Sequence, residues 1–196
     1  GILLDRITES GRVEGCIARS NRDAGIALDD VRKPLVVANN VGYNNGDGIR
    51  LSDAEGGHVL ANLCRANNQA LEGRCGIRLA GTTTGCTVAY NPASDDEIYA
   101  SQAQGIVEEK TAQRNVIRFN LACPMFMNHQ PGGRAAPAAL VADGKNSTVG
   151  DNQVRSVLPS GSSIESFALG FSEHPHRIKT RRIHFTRAKK QAEANL

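Results

Sequence analysis

The chain has 196 residues, the length of one domain, with 23 Lys or Arg against 20 Asp or Glu and a net charge of +3. It has no Trp, three Tyr and five Phe, which counts against a sugar site built on stacked aromatic platforms. No apolar run approaches the ~20 residues of a membrane span, so no membrane partner is expected, and nucleic acid is not an expected partner either.

Taken in chain order, the predicted elements repeat. Gly1-Ile2-x-Leu4 is a short strand followed by Val13-x-x-Cys16. In the next unit, Gly25-Ile26-Ala27-Leu28 alternates with period two, so Ile26 and Leu28 face one side and Ala27 the other. Residues 29–34 carry charges and a proline and read as a turn. Val36-Val37-Ala38 is a second strand with Val36 and Ala38 predicted inside. Asn39 makes the corner, because a small amide tolerates left-handed backbone and bonds nearby peptide groups. Val41 to Tyr43 is a third strand, and Asn44 to Asp47 turns back to the next Gly-Ile.

The same parts return as Gly48-Ile49-x-Leu51 with Val59-x-x-Asn62, and as Gly76-Ile77-x-Leu79 with Val88-x-x-Asn91. A weaker Gly105-Ile106 precedes Ile117-x-x-Asn120, and Val149-x-x-Asn152 ends the series. Successive V-x-x-N motifs start 23, 23, 29, 29 and 32 residues apart. A period in the twenties marks a stacked solenoid in which each unit covers its neighbour's apolar face. A leucine-rich repeat would need an LxxLxL core and a helical return arm, and the return segments here are polar, Gly-rich and too short. The fold class is therefore all-β, a parallel β-solenoid of about six coils. Asn39, Asn62, Asn91, Asn120 and Asn152 are predicted to stack as a hydrogen-bonded ladder, with Cys16 in the same column and Ala38, Ala61, Tyr90 and Phe119 as an inward column.

The G-I-x-L strands and V-x-x-N corners over residues 1–152 resemble the right-handed, single-stranded parallel β-helix of the pectate-lyase-like superfamily. That group includes polysaccharide lyases, some glycosidases, uronate epimerases and phage tailspikes. The resemblance implies a scaffold and leaves the chemistry open. Six coils make a short rod for that family, and the chain starts inside a repeat at Gly1. N-terminal coils or a cap are therefore expected to precede it. Residues 153–196 are predicted to be a non-repeat C-terminal cap or linker with a basic tail; residues 171–196 hold seven Lys or Arg against two Glu. That tail is either a solvated cap or a patch for an acidic polymer.

Three segments exceed the period: 67–75, 91–104 and 123–147, the last carrying His129, Arg134 and Lys145. Such expansions are either packing ornaments or loops that shape a binding cleft. Glu108 falls where Leu stands in other coils, which marks either a distortion of the fifth coil or a paired niche. The five cysteines lack metal-ligand spacing. Cys16 and Cys64 read as small fillers, a Cys75–Cys86 bridge is an open alternative, and neither metal nor cofactor is predicted.

Outward rows on successive coils place Arg50 and Arg78 beside Asp29, Asp30 and Asp53, within about 10–15 Å along the axis. Paired carboxylates can serve as general acid and base, and arginines can grip uronate carboxylates in forked pairs. Asp29, Asp30 and Asp53 are the weak catalytic candidates; Arg50, Arg78 and Arg134 are the substrate-binding ones. The plainer alternative is that these charges pair across coils. The resemblance, together with these rows, implies two functions: a module that binds, and could cleave or epimerise, an acidic or capsular polysaccharide; or a non-enzymatic structural part of a tailspike, fibre or exported repeat protein, with a homotrimer open. Either would work outside the cytoplasm, secreted or on a virion surface.

Overall fold

Gly-Ile-x-Leu, V-x-x-N and the segment after each Asn become the three strands of one coil. The computed structural model describes residues 1–70, 73–93, 101–122, 140–156, 169–171 and 184–187. The first sheet has seven parallel strands: Ile2–Ile7, Ile26–Val31, Ile49–Ser52, Cys75–Ala80, Gln104–Glu108, Leu140–Ala142 and Leu169–Phe171. The second has six: Arg12–Glu14, Leu35–Val37, His58–Leu60, Thr87–Ala89, Val116–Arg118 and Thr148–Gly150. The third again has seven: Ile17–Arg19, Asn40–Gly42, Leu63–Arg65, Pro92–Ala93, Leu121–Ala122, Gln153–Ser156 and His184–Arg187. Every pairing is parallel and joins equivalent strands of adjacent coils, as a solenoid requires.

Register explains the motif. Ile26, Ile49, Ile77 and Ile106 are direct partners up the stack and are fully buried, as are Leu28, Leu51 and Leu79 beside them. The valines of V-x-x-N, with Ile117, fill the second inward column, and Val41, Cys64, Ala93 and Ala122 the third. Burial of each Ile, Leu or Val is worth roughly 1.5–3 kcal/mol.

Strands continue beyond Asn152, where the sequence pattern is no longer legible. Gln153–Ser156 pairs with Leu121–Ala122, and His184–Arg187 pairs with Gln153–Ser156. Leu140–Ala142 supplies the first strand of the sixth coil from within the segment read as an expansion to residue 147. It lacks the Gly-Ile signature, and Leu140 and Ala142 carry the inward role.

The predicted Asn ladder is present, with one correction in its backbone. The left-handed residue at each corner is the one before the Asn: Ala38, Ala61, Tyr90 and Phe119 have φ of 54°, 54°, 59° and 56°. That turn swings these four side chains outward, so they form an exposed column rather than an inward one. Strict alternation fails there because the strand has already ended at residues 37, 60, 89 and 118. A column growing from Ala to Phe could not have fitted an interior of constant cross-section.

Each buried Asn then bonds three ways. Asn62 Nδ2 donates to Asn91 Oδ1 at 3.0 Å and to the Val36 carbonyl at 2.9 Å, while Asn62 Oδ1 accepts from Asn39 Nδ2 at 2.9 Å and from the Asn39 amide at 3.0 Å. The ladder runs on through Asn120 to Asn152, and Cys16 joins it through its backbone N–H to Asn39 Oδ1 at 2.8 Å.

A second ladder stands at the corner between the third and first sheets. Asn21 donates to Asn44, Asn44 to Asn67 and Asn67 to Gln102, each at 2.8 Å. Its sequence signal was an exact 23-residue spacing of Asn21, Asn44 and Asn67, hidden among other turn residues. Glu108 settles as a paired niche, in register with Leu79 and fully buried. Its Oε1 accepts from Asn115 Nδ2 at 2.8 Å and from Ser147 Oγ at 2.5 Å, and the missing side chain of Gly144 makes the room.

Candidate functional site

The strands of the first sheet are the longest, and their outward side chains line up as the alternation requires. Ala27, Arg50 and Arg78 are consecutive partners, as are Asp5, Asp29 and Ser52. The two arginines nevertheless differ. Arg78 is locked: its Nε donates to both oxygens of the buried Asp47 at 3.2 and 3.1 Å, and its other nitrogens reach Glu109 at 3.0 Å and the Gly73 carbonyl at 3.2 Å. Arg50 is held loosely, 3.6 Å from Asp23 and 3.7 Å from Asp29, with its buried Nε unpaired. Asp29 Oδ1 also has no hydrogen-bond partner.

The candidate carboxylates do not form one acid–base cluster. Asp29 faces Arg50. Asp30 and Asp53 sit at left-handed strand ends, with φ of 52° and 57°, and both are exposed. Asp53 accepts the Thr82 backbone N–H at 2.7 Å and its hydroxyl at 2.8 Å. Those two bonds, the backbone one foremost, hold the Asp53 carboxyl below the usual carboxylate range. Arg134 lies outside the described residues, as does His129. Among the described residues, no group of three His, Cys, Asp or Glu converges as metal ligands do.

The chain's excess length gathers at one corner. From third to first sheet, the second coil uses six residues, 43–48, while later coils use 66–74, 94–103 and 123–139. Of these, 66–74 leads into Cys75–Ala80, the strand that carries Arg78 on its outer face. The first is anchored there by Arg78 to Gly73 and by Arg74, 3.9 Å from Asp47.

Cys75 and Cys86 are free thiols, so the bridge left open in the sequence is absent. Their strand and corner face different columns: Cys75 Sγ donates to Asp47 Oδ1 at 3.3 Å, and Cys86 Sγ accepts the Gly57 N–H at 3.4 Å. Burial pushes both thiols up, with the Asp47 charge adding at Cys75. Neither is a poised nucleophile.

Misassigned in the sequence was an aromatic feature on the opposite side. Tyr90 and Phe119 stack with centroids 5.2 Å apart and planes within 11°, and the Arg118 guanidinium lies 5.4 Å from the Phe119 centroid. Tyr90 is 59% exposed and Phe119 39%. A further surface feature, a shallow depression of about 310 Å³, opens at the corner between the first and second sheets, lined by Arg32, Lys33, Glu55, Gly56 and His58.

A family model described as "Right handed beta helix region" matches residues 1–122. No curated protein and no solved structure matches the chain.

Proposed function

The chain belongs to the right-handed β-helix family, and we propose that it serves there as a carbohydrate-associated module, holding an acidic or capsular polysaccharide along the outer face of the first sheet. The observation that carries this reading is the loosely held guanidinium of Arg50 on the outer face of the first sheet, beside the Arg78 that anchors the expanded connection 66–74. An arginine whose existing pairs are 3.6 and 3.7 Å long gives up little when it turns to a uronate carboxylate, whereas Arg78 would have to leave the buried Asp47. Forked Arg–carboxylate pairing supplies both charge and geometry. Asp29 and Asp23 then accept from sugar hydroxyls.

Binding is better supported than cleavage or epimerisation. A general acid needs a carboxyl that keeps its proton near neutrality, and Asp53 is held in the opposite sense. Incubation with a panel of acidic and neutral polysaccharides separates the readings. Saturable binding that Arg50→Ala abolishes, with no unsaturated-uronate absorbance and no new reducing ends, supports the module. Product in either channel makes the protein an enzyme and redirects mutation to Asp29, Asp30 and Asp53. Equal binding by Arg50→Ala sinks this site.

The second reading, a structural part of a tailspike, fibre or exported surface protein, is favoured by the exposed stacked pair of Tyr90 and Phe119. Its test is sedimentation velocity: a homotrimer dispersed by Tyr90→Lys supports it, and a monomer at all concentrations ends it. Both readings imply work outside the cytoplasm.

A further inference from the structure

The depression lined by Arg32, Lys33, Glu55, Gly56 and His58 opens on a corner where equivalent residues align along the rod, a line of positions termed the channel. At this corner the left-handed column runs Lys33, Gly56, Gly85, Arg114, with φ of 47°, 67°, 65° and 55°. Two glycines therefore lie between two cations, and Lys33 and Arg114 stand three coils apart, about 14–15 Å along the axis. Lys33 and Arg114 show that side chains are accepted at this φ, so the backbone alone does not demand glycine. Nor does packing: a Cβ on Gly85 would meet nothing nearer than the Gly56 backbone at 3.8 Å, and one on Gly56 only the Lys33 side chain at 3.9 Å. The adjacent Gly57 is different, since a Cβ there would fall 2.4 Å from Pro34.

One wall of the channel is the bridged column Arg32, Glu55, Thr84, Gln113, Lys145; the other is the outward row His58, Thr87, Val116. Arg32 lies 3.5 Å from Glu55, whereas Lys33, Arg114 and Lys145 are exposed cations. The channel thus offers sparse positive charge at both ends, hydroxyl and amide groups along its sides, and a floor without side chains.

We propose that this channel is a second glycan subsite, separate from the Arg50 face, that takes a short run of an acidic polysaccharide with its carboxylates on Lys33 and Arg114. Its position is independent of the Arg50 site; its ligand class rests on the polysaccharide reading above. Sugar hydroxyls match Thr84, Thr87, Gln113 and Glu55 as hydrogen-bond partners. A nucleic-acid strand fits less well, because Glu55 repels closely spaced phosphates and none of these channel residues is an aromatic on which bases could stack.

The test is calorimetric titration of the full chain with trigalacturonate and polygalacturonate. Gly56→Asn plus Gly85→Asn fills the floor without changing charge, and Asn tolerates left-handed backbone, so unchanged thermal melting confirms folding. That pair and the Lys33→Ala plus Arg114→Ala pair are each expected to weaken binding about tenfold. Equal affinity of both pairs with the parent overturns the channel whatever Arg50→Ala does, and equal affinity of Arg50→Ala overturns only the first-sheet site. No uronate binding by the parent also overturns the channel, while neutral capsular glycans would still test the first-sheet face. Single-stranded DNA competing as well as polygalacturonate would replace the glycan with general polyanion binding and overturn the assignment.

Discussion

Two corners of the same coil follow opposite rules. Between the second and third sheets, the turn is always one left-handed residue followed by an Asn, in five successive coils from Ala38-Asn39 to Asp151-Asn152. Between the third and first sheets, the connection grows from six residues to nine and beyond, and its ladder changes from Asn to Gln at residue 102. A turn of two residues has no slack, so its polar groups must be satisfied by the next coil in the same way each time. A longer turn can satisfy its own backbone and project outward. Uniformity at one corner therefore holds the fold, and irregularity at the other makes the surface.

The sharpest way to break this contrast is at the uniform corner. Asn62→Ala takes the side-chain acceptor from the Asn39 amide and Nδ2 and the side-chain donor from the Val36 carbonyl, while Asn91 Oδ1 keeps only the backbone N–H of residue 62. A loss of about 3 kcal/mol or more in urea unfolding is expected. Asn21→Ala, at the partly buried end of the second ladder, should lose only about 1 kcal/mol. Equal losses would mean that the two corners contribute alike and the contrast is wrong.

Glu108 sharpens it from inside. Glu108→Gln keeps an oxygen for Asn115 and Ser147 and should unfold within about 1 kcal/mol of the parent. Glu108→Leu restores the apolar residue of other coils yet strands two buried donors, and should fall about 1–2 kcal/mol below the Gln variant. Glu108 Oε2 is buried without a hydrogen-bond partner, so if Leu proves the more stable, the niche is a tolerated defect rather than a stabilising one.

Thiol labelling gives a smaller, kinetic comparison. In a Cys123→Ser background at mildly alkaline pH, Cys16 should react with iodoacetamide first, because Cys64, Cys75 and Cys86 are buried and their pKa values raised by desolvation. Early labelling of Cys75 would show that the first expanded connection opens readily.

The smallest effect concerns Asp53. Its folded pKa lies below the ordinary 3.8, so its contribution is complete above the ordinary carboxylate range and is lost as pH falls through the lowered value. Asp53→Asn should slightly lower stability at pH 7, leave it nearly unchanged below the lowered pKa, and so flatten that part of the acid-unfolding curve. A parallel shift at all pH values would mean that Thr82 does not depend on the charge.

The G-I-x-L and V-x-x-N spacings determined the three-sheet solenoid, the inward Ile, Leu and Val columns and the Asn39–Asn152 ladder. Those follow from local rules, since period-two alternation and corner chemistry act over a few residues and then repeat. Tertiary structure alone decided the rest. Whether Ala38, Ala61, Tyr90 and Phe119 point in or out depended on one φ angle after the strand end. Whether Arg50 or Arg78 was available depended on Asp47, which stands three residues before Arg50 yet pairs with Arg78 in the next coil. Side chains a coil apart meet only after stacking, so the free and the committed charges read alike in the sequence and part company in the fold.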